Sequence, residues 1–176
     1  MQLCFCESCI QELARRYEEE YLTSRIGELE QELMGMRCQI RENGYLTPDV
    51  LEKVVRWTRT QRQLSNIRRN SEMRIRTITS RAFETEDVDE SLRILKGLNG
   101  VGDTVGSAIL HLFHKDPYPF YTQWALECVG ERQAPGVWRR YVRYCRDLAC
   151  RNNVEMRILD RALRRYSNEQ RARRGF

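Results

Sequence analysis

The stretch Leu98-Asn99-Gly100-Val101-Gly102 sets two glycines one residue apart between two helical patterns. A bend of that composition turns backbone N–H groups outward with no Cβ in front of them. The helix that begins directly after it adds the positive end of its dipole. Such a unit holds an anion, and a phosphate is the anion it fits. Val101 would turn inward and tie the two helices, while Gly106, Ala108, Ile109 and Leu110 would let the second one pack closely. An αα-hairpin with a glycine turn and no ligand has the same residues.

Other residue types with chemical potential are less organised. Cys4, Cys6 and Cys9 form a C-x-C-x2-C cluster with Cys38 next in line. Zinc sites built on thiolates usually use two C-x2-C pairs, so zinc at Cys4, Cys6 and Cys9 is disfavoured, and the expected alternative is a frayed, thiol-bearing N-terminus. Cys128, Cys145 and Cys150 fall on helical patterns and read as small packing groups. Seven cysteines, an odd number, with no export signal argue against a disulfide framework. His111 and His114 stand three residues apart without an evident third metal ligand, so both read as satisfied or exposed side chains. Trp57, Trp124 and Trp138 could stack on an extruded base, although core packing explains each equally simply. Trp124 is the best placed of them.

These groups need elements to position them. Residues 11–41 read as one long helix with a seam of Ile26, Leu29, Leu33, Met36 and Ile40. Asn43-Gly44 would stop it. Thr47 would N-cap the next helix and Pro48 suits its first turn. Leu51, Val54, Val55 and Trp57 give that helix an apolar face. Further helices are expected at about 66–83, with Ile67, Met73, Ile75, Ile78 and Phe83 among its apolar positions, and at 88–97, 103–115, 123–130, 135–151 and 153–167. Asn168 to Phe176 reads as a loose basic tail. The fold class is therefore all-α: a helical bundle with a central helix-hairpin-helix and a long N-terminal helix. The division expected is 1–44 as an N-terminal helical extension, 45–168 as the main domain and 169–176 as the tail.

Charge narrows the partner. The 176 residues carry a net charge of +5, and 27 of the 30 basic residues are arginine. Residues 1–50 hold 5 basic and 10 acidic groups, whereas 132–176 hold 13 and 4. A cationic C-terminal third favours an anionic partner, nucleic acid first among them, and arginine's planar fork suits phosphate oxygens. Arg139, Arg140, Arg143 and Arg146 make a basic helix face that could meet backbone phosphates; a solvated face is the equal alternative. Asp160, between Arg157 and Arg161, reads as an internal ion-pair partner. No apolar run is long enough to span a membrane. Without a secretory signal the chain is expected inside the cell, cytoplasmic or nucleoid-associated if bacterial.

Beyond the bend, the chain has Tyr118-Pro119-Phe120-Tyr121, then Arg143-Tyr144-Cys145-Arg146-Asp147-Leu148-Ala149, then Met156-Arg157-Ile158-Leu159-Asp160-Arg161-Ala162-Leu163. With the hairpin before them, residues 45–168 resemble the helix-hairpin-helix DNA glycosylase superfamily, the group of endonuclease III and the 8-oxoguanine glycosylase, and its small uncharacterised bacterial-type relatives. The resemblance implies an all-helical fold that grips duplex DNA by its backbone, largely without regard to sequence. It implies that Gly100, Gly102 and Thr104 offer N–H or hydroxyl donors to one phosphate. It also implies a monovalent cation, K+ or Na+, on the main-chain carbonyls of Lys96, Leu98 and Val101, and no other required cofactor.

The departures bear on activity. Bifunctional members place a nucleophilic lysine two residues after the last turn glycine, and Thr104 stands there. Active members place an aspartate where this chain has Thr122. Threonine carries no charge, but it caps a helix as aspartate does. Three readings stay open: a pseudoenzyme that binds DNA, an engineered threonine that traps a complex, or another carboxylate, Asp116 or Asp103, in the acid's place. The leading expectation is a DNA-binding protein degenerate at its catalytic positions. The alternatives are a monofunctional glycosylase of base excision repair with a non-standard acid, and a helical interaction module whose seam recruits a partner or a second copy.

Overall fold

The computed structural model describes residues 1–21 and 23–173. Among the described residues the chain is all-helical, with eleven α-helices, two short 3-10 turns and no strand. Contacts divide it into two units: Met1–Ser24 with Pro117–Phe176, and Arg25–Asp116. This division does not run along the boundary expected at residue 44. The first helix belongs with the last residues of the chain, and the next two belong with the middle.

The single N-terminal helix is corrected to three: α1 Ile10–Tyr21, α2 Arg25–Gly35 and α3 Arg37–Asn43. The first interruption has a local cause. The Ser24 amide and hydroxyl both donate to the Tyr21 carbonyl, at 3.0 and 2.6 Å, which closes a turn in place of helix. Met36 alone separates α2 from α3, with its amide still on the Glu32 carbonyl at 3.3 Å. Gly44, at φ +74, ends α3 with its amide on the Ile40 carbonyl at 2.9 Å, as Asn43-Gly44 implied.

The middle unit holds α2 and α3 with α4 Pro48–Trp57, α5 Leu64–Ile67, α6 Glu72–Glu84, α7 Val88–Leu95 and α8 Asp103–Phe113. Its core gathers Leu33, Ile40, Leu51, Val54, Val55, Ile75, Leu95 and much of α8, each burial worth about 1.5–3 kcal/mol. From the expected seam, Leu33 and Ile40 are buried, whereas Ile26 and Leu29 remain half-exposed beside Arg25, Glu28 and Arg56. Thr47 occupies the N-cap position of α4 but accepts no hydrogen bond there; Ser71 and Asp87 do cap α6 and α7 with their side chains. Met73, expected inward, is 72% exposed, because it lies on the outer face of α6. Arg41 anchors the end of α8 by donating to the carbonyls of Phe113, at 3.1 Å, and His114.

The other unit holds α1 with α9 Gln123–Glu127, α10 Val137–Arg151 and α11 Met156–Arg173. Helix α11 runs to Arg173, through most of the expected loose tail; 174–176 lie outside the described residues. It continues because α1 lies along it: Ile10, Leu13, Ala14 and Tyr17 are buried with Leu159, Ala162 and Leu163. Ion pairs flank the contact, with Arg16 and Arg165 each 2.7 Å from Glu169 and Arg161 bonded to Glu18. The N-terminus, expected to fray, is bonded down instead. The amides of Gln2 and Cys4 donate to the carbonyls of Val129 and Cys128 at 3.0 and 2.8 Å, and the Tyr166 hydroxyl donates to the Cys4 carbonyl.

The Arg161 side chain is only 10% exposed, so losing the Glu18 carboxylate takes a partner away from a largely buried charge. Glu18→Ala should cost about 2 kcal/mol of unfolding free energy. Glu19→Ala, which breaks a pair with the exposed Arg15, should leave stability nearly unchanged. Denaturant unfolding of the two variants checks both.

Candidate functional site

The bend begins where α7 runs out. The amides of Gly97 and Leu98 reach back to the carbonyls of Ile94 and Leu95, both at 3.0 Å. The Val101 amide then donates to the Leu98 carbonyl at 3.2 Å, closing a four-residue turn. Its third residue is Gly100 at φ +81, a position that a type II turn gives to glycine. Leu98 and Val101 are buried and fasten the bend from beneath.

Glycine is demanded here twice over. A Cβ on Gly100 would stand 3.1 Å from each of Asn66 Cβ, the Gln63 carbonyl oxygen and the Ile67 nitrogen. The turn therefore leans directly on α5 and the residues before it. Asn70, buried, clamps it: its side-chain amide donates to the Asn99 carbonyl at 3.0 Å and its carbonyl accepts the Asn99 amide at 2.9 Å. Arg74 donates to the Gly97 carbonyl at 2.7 Å. Neither Asn70 nor Arg74 stood out in the sequence. An asparagine beside a helix cap has many ordinary uses, and only the fold brings it to the bend.

Gly102 differs from Gly100. Its φ is −101, it is exposed, and a Cβ there would meet nothing within 4 Å. It stands at the N-cap of α8 with no side-chain cap, and among the described residues no acceptor meets the amides of Gly102, Asp103 or Thr104. At Gly106 a Cβ would fall 2.7 Å from Leu92 Cδ1, so this glycine lets α7 and α8 close on each other. The charge at the mouth is balanced, because Lys96 Nζ lies 2.7 Å from Asp103 Oδ1. Of the three carbonyls expected to hold a cation, that of Leu98 takes the Val101 amide, with Lys96 and Val101 on either side of it in the chain. Gly100, Val101, Gly102, Thr104, Lys96 and Leu98 are thus gathered in one bend of the middle unit.

The remaining candidates belong to the other unit, apart from Asp116, Trp57, His111 and His114. Thr122 is buried and N-caps α9, its hydroxyl oxygen accepting from the Ala125 amide at 3.3 Å. It keeps the structural duty of an N-cap without the charge of a carboxylate. Trp124 is half-buried, meets Phe120 edge-on at 6.1 Å between ring centres, and has the Arg164 guanidinium 5.6 Å from its ring centre. It lines a cleft of about 410 Å³ together with Cys4, Cys128, Tyr166 and Arg171. Arg139, Arg140 and Arg143 are exposed along α10, and Arg140 lies 3.8 Å from Glu131. Arg146 is withdrawn from that face: it donates to the Pro117 carbonyl at 2.8 Å and lies over the Tyr118 ring. Trp138 packs against Tyr118 and Tyr121, and is buried.

Asp116 closes the middle unit. Its amide donates to His114 Nδ1 at 3.0 Å, and its carboxylate lies 4.0 Å from the same nitrogen. An Nδ1 that accepts an amide places the proton of a neutral imidazole on Nε2. His114 is buried, and His111 stacks on Trp57 at 6.4 Å. The two histidines thus have separate ring neighbours. Among the N-terminal thiols, Cys4 donates to the Glu127 carbonyl at 3.3 Å, and Cys6 Sγ lies 3.0 Å from Ser8 Oγ. Burial pushes the Cys128 thiol up to about 12 and raises Cys145 and Tyr141 well above their ordinary values.

No helix among the described residues is long and apolar enough to cross a membrane. No family model, no curated protein and no solved structure matches this chain.

Proposed function

We propose that this chain binds duplex DNA by its backbone, with Gly100–Gly102 and the start of α8 holding a phosphate as a helix-hairpin-helix does. The observation that carries the reading is the pair of unlike glycines. Gly100 fixes the turn against α5, and Gly102 leaves an open approach to amides that no group among the described residues uses. A backbone that keeps glycine on its solvent side, where nothing crowds it, has room for a ligand to come close. The exposed arginines of α10, which belong to the other unit, give that unit a cationic surface of its own. Thr122 favours binding without base excision, since it caps α9 and carries no charge. A monovalent cation on the bend carbonyls belongs to this proposal, as does kinship with the DNA glycosylase superfamily.

Fluorescence anisotropy on unrelated duplexes tests it. Affinity should be alike across sequences and fall about ten- to a hundredfold between ~50 and ~200 mM salt, the loss expected for about two to four neutralised phosphates. Lesion-bearing duplexes should be bound without release of a free base. A salt-independent response, or no binding at low salt, would reject the reading; base release would replace it with the glycosylase alternative.

A further inference from the structure

The N-terminal thiols are not used by the proposed DNA interface, and two of them are arranged as a pair. We propose that Cys6 and Cys9 form a reversible dithiol–disulfide couple that exchanges with small-molecule disulfides. The residues form the sequence Cys6-Glu7-Ser8-Cys9, folded into a 3-10 turn that leads into α1. The Cys9 amide donates to the Cys6 carbonyl at 2.9 Å. Residues at the two ends of so tight a turn have Cα atoms within about 7 Å, inside the range a disulfide bridges. Both thiols are exposed. Cys4, the third candidate, is turned away toward the Glu127 carbonyl.

The turn is held from both ends. Phe5 packs on Tyr166 with ring centres 4.8 Å apart, and Glu7 takes bonds from Asn152 at 2.7 Å and Arg151 at 3.1 Å. The pair is therefore preorganised on a fixed backbone, and one of its members is activated. Hydrogen bonds from the Ser8 hydroxyl, then from the Ser8 amide, with a smaller one from Cys9, hold the Cys6 thiol below its ordinary value. Cys6 is the attacking sulfur and Cys9 the resolving one.

The exchange balances in two steps. The Cys6 thiolate attacks one sulfur of a disulfide RSSR, forming a Cys6–SR mixed disulfide and expelling RS⁻. Cys9, its proton lost to solvent, attacks the Cys6 sulfur and expels the second RS⁻. The protein gives up two electrons and two protons, and the small disulfide becomes two thiols.

The full-length reduced chain, equilibrated in glutathione and glutathione disulfide mixtures near pH 7, then acid-quenched, alkylated and peptide-mapped, tests the proposal. A disulfide joining Cys6 to Cys9 should accumulate while Cys38 and Cys150, equally exposed, stay outside it. Cys9→Ser should trap a Cys6–glutathione mixed disulfide. In the reduced wild type, Cys6 should alkylate roughly three- to tenfold faster than Cys38. Circular dichroism of Cys9→Ser should match the wild type, because the residue is on the surface. Alkylation of Cys6 no faster than Cys38, a bridge made to Cys4 instead, or failure of Cys9→Ser to trap the adduct would each overturn the assignment.

Discussion

Gly100→Ala should lower the unfolding free energy of the middle unit by about 2–3 kcal/mol, whereas Gly102→Ala should change it by less than about 1 kcal/mol. At Gly100 two penalties add. The backbone sits at φ +81, where a Cβ strains the chain, and that Cβ would press at 3.1 Å on backbone atoms of Gln63 and Ile67. Those atoms yield only if α5 moves, and Asn70 ties the neighbouring residue of the turn to the same region. At Gly102 the φ is ordinary and the space is open, so an alanine fits. Its methyl would nonetheless stand before the first amides of α8.

The two variants therefore separate folding from binding. If the bend grips a phosphate, Gly102→Ala should weaken duplex binding by about tenfold, the loss of one or two charge-assisted hydrogen bonds. Hydrogen exchange of the α7 and α8 amides, which belong to the middle unit, measures the first effect, and anisotropy measures the second. Wild-type affinity in Gly102→Ala would remove the phosphate from the bend while leaving the account of Gly100 intact.

The unit that holds α10 and α11 should lose stability steeply in mild alkali. Its core contains three weak acids, Cys128, Tyr141 and Cys145, all buried and all raised above their ordinary values chiefly by that burial. In the unfolded chain the thiols titrate near about 8.5 and the phenol near about 10. Above those values the unfolded chain releases protons that the folded chain still holds, so the unfolded state binds fewer protons and stability falls as pH rises. Each group contributes a slope of at most about 1.4 kcal/mol per pH unit. For Cys128 the loss runs from its unfolded value up to about 12. Together the three should remove about 4–5 kcal/mol between roughly pH 9 and pH 10.5. Below about pH 7.5 they should contribute almost no slope. Cys145→Ala should take away roughly two fifths of the effect while lowering stability at neutral pH through the small cavity it leaves. Unfolding curves at a series of pH values read this directly, and a flat profile through about pH 10.5 would refute it.

Much of this protein is legible in its residue order. Periodicity located α4, α7, α8, α9, α10 and most of α11, because each buries one stripe against a core and its apolar residues must recur at helical spacing. Asn43-Gly44 marked a helix end, and Thr122 marked a helix start, because caps act through neighbouring amides and carbonyls only. The glycine spacing of the bend was equally plain. What spacing left undecided was how the two glycines differ. Gly100 is required by the backbone of Gln63 and Ile67, from a distant part of the chain, whereas Gly102 faces empty space.

One further break is local: the seam from Ile26 to Ile40 is compatible with one helix from residue 11, yet the Ser24 hydroxyl bonding back to the Tyr21 carbonyl outweighs that weak periodic preference and separates α1 from α2. Other features depended on residues far apart in sequence. The basic tail gave no sign of order on its own; it is helical to Arg173 because α1, from the opposite end of the chain, covers it. Asn70 and Arg74 reach the bend, and Cys4 turns from its neighbours to Glu127, only once the helices have packed. Local rules act over three or four residues, so the sequence alone settled most of the elements and their caps. The partners of each polar group were settled by which surfaces the burial of apolar side chains brought face to face.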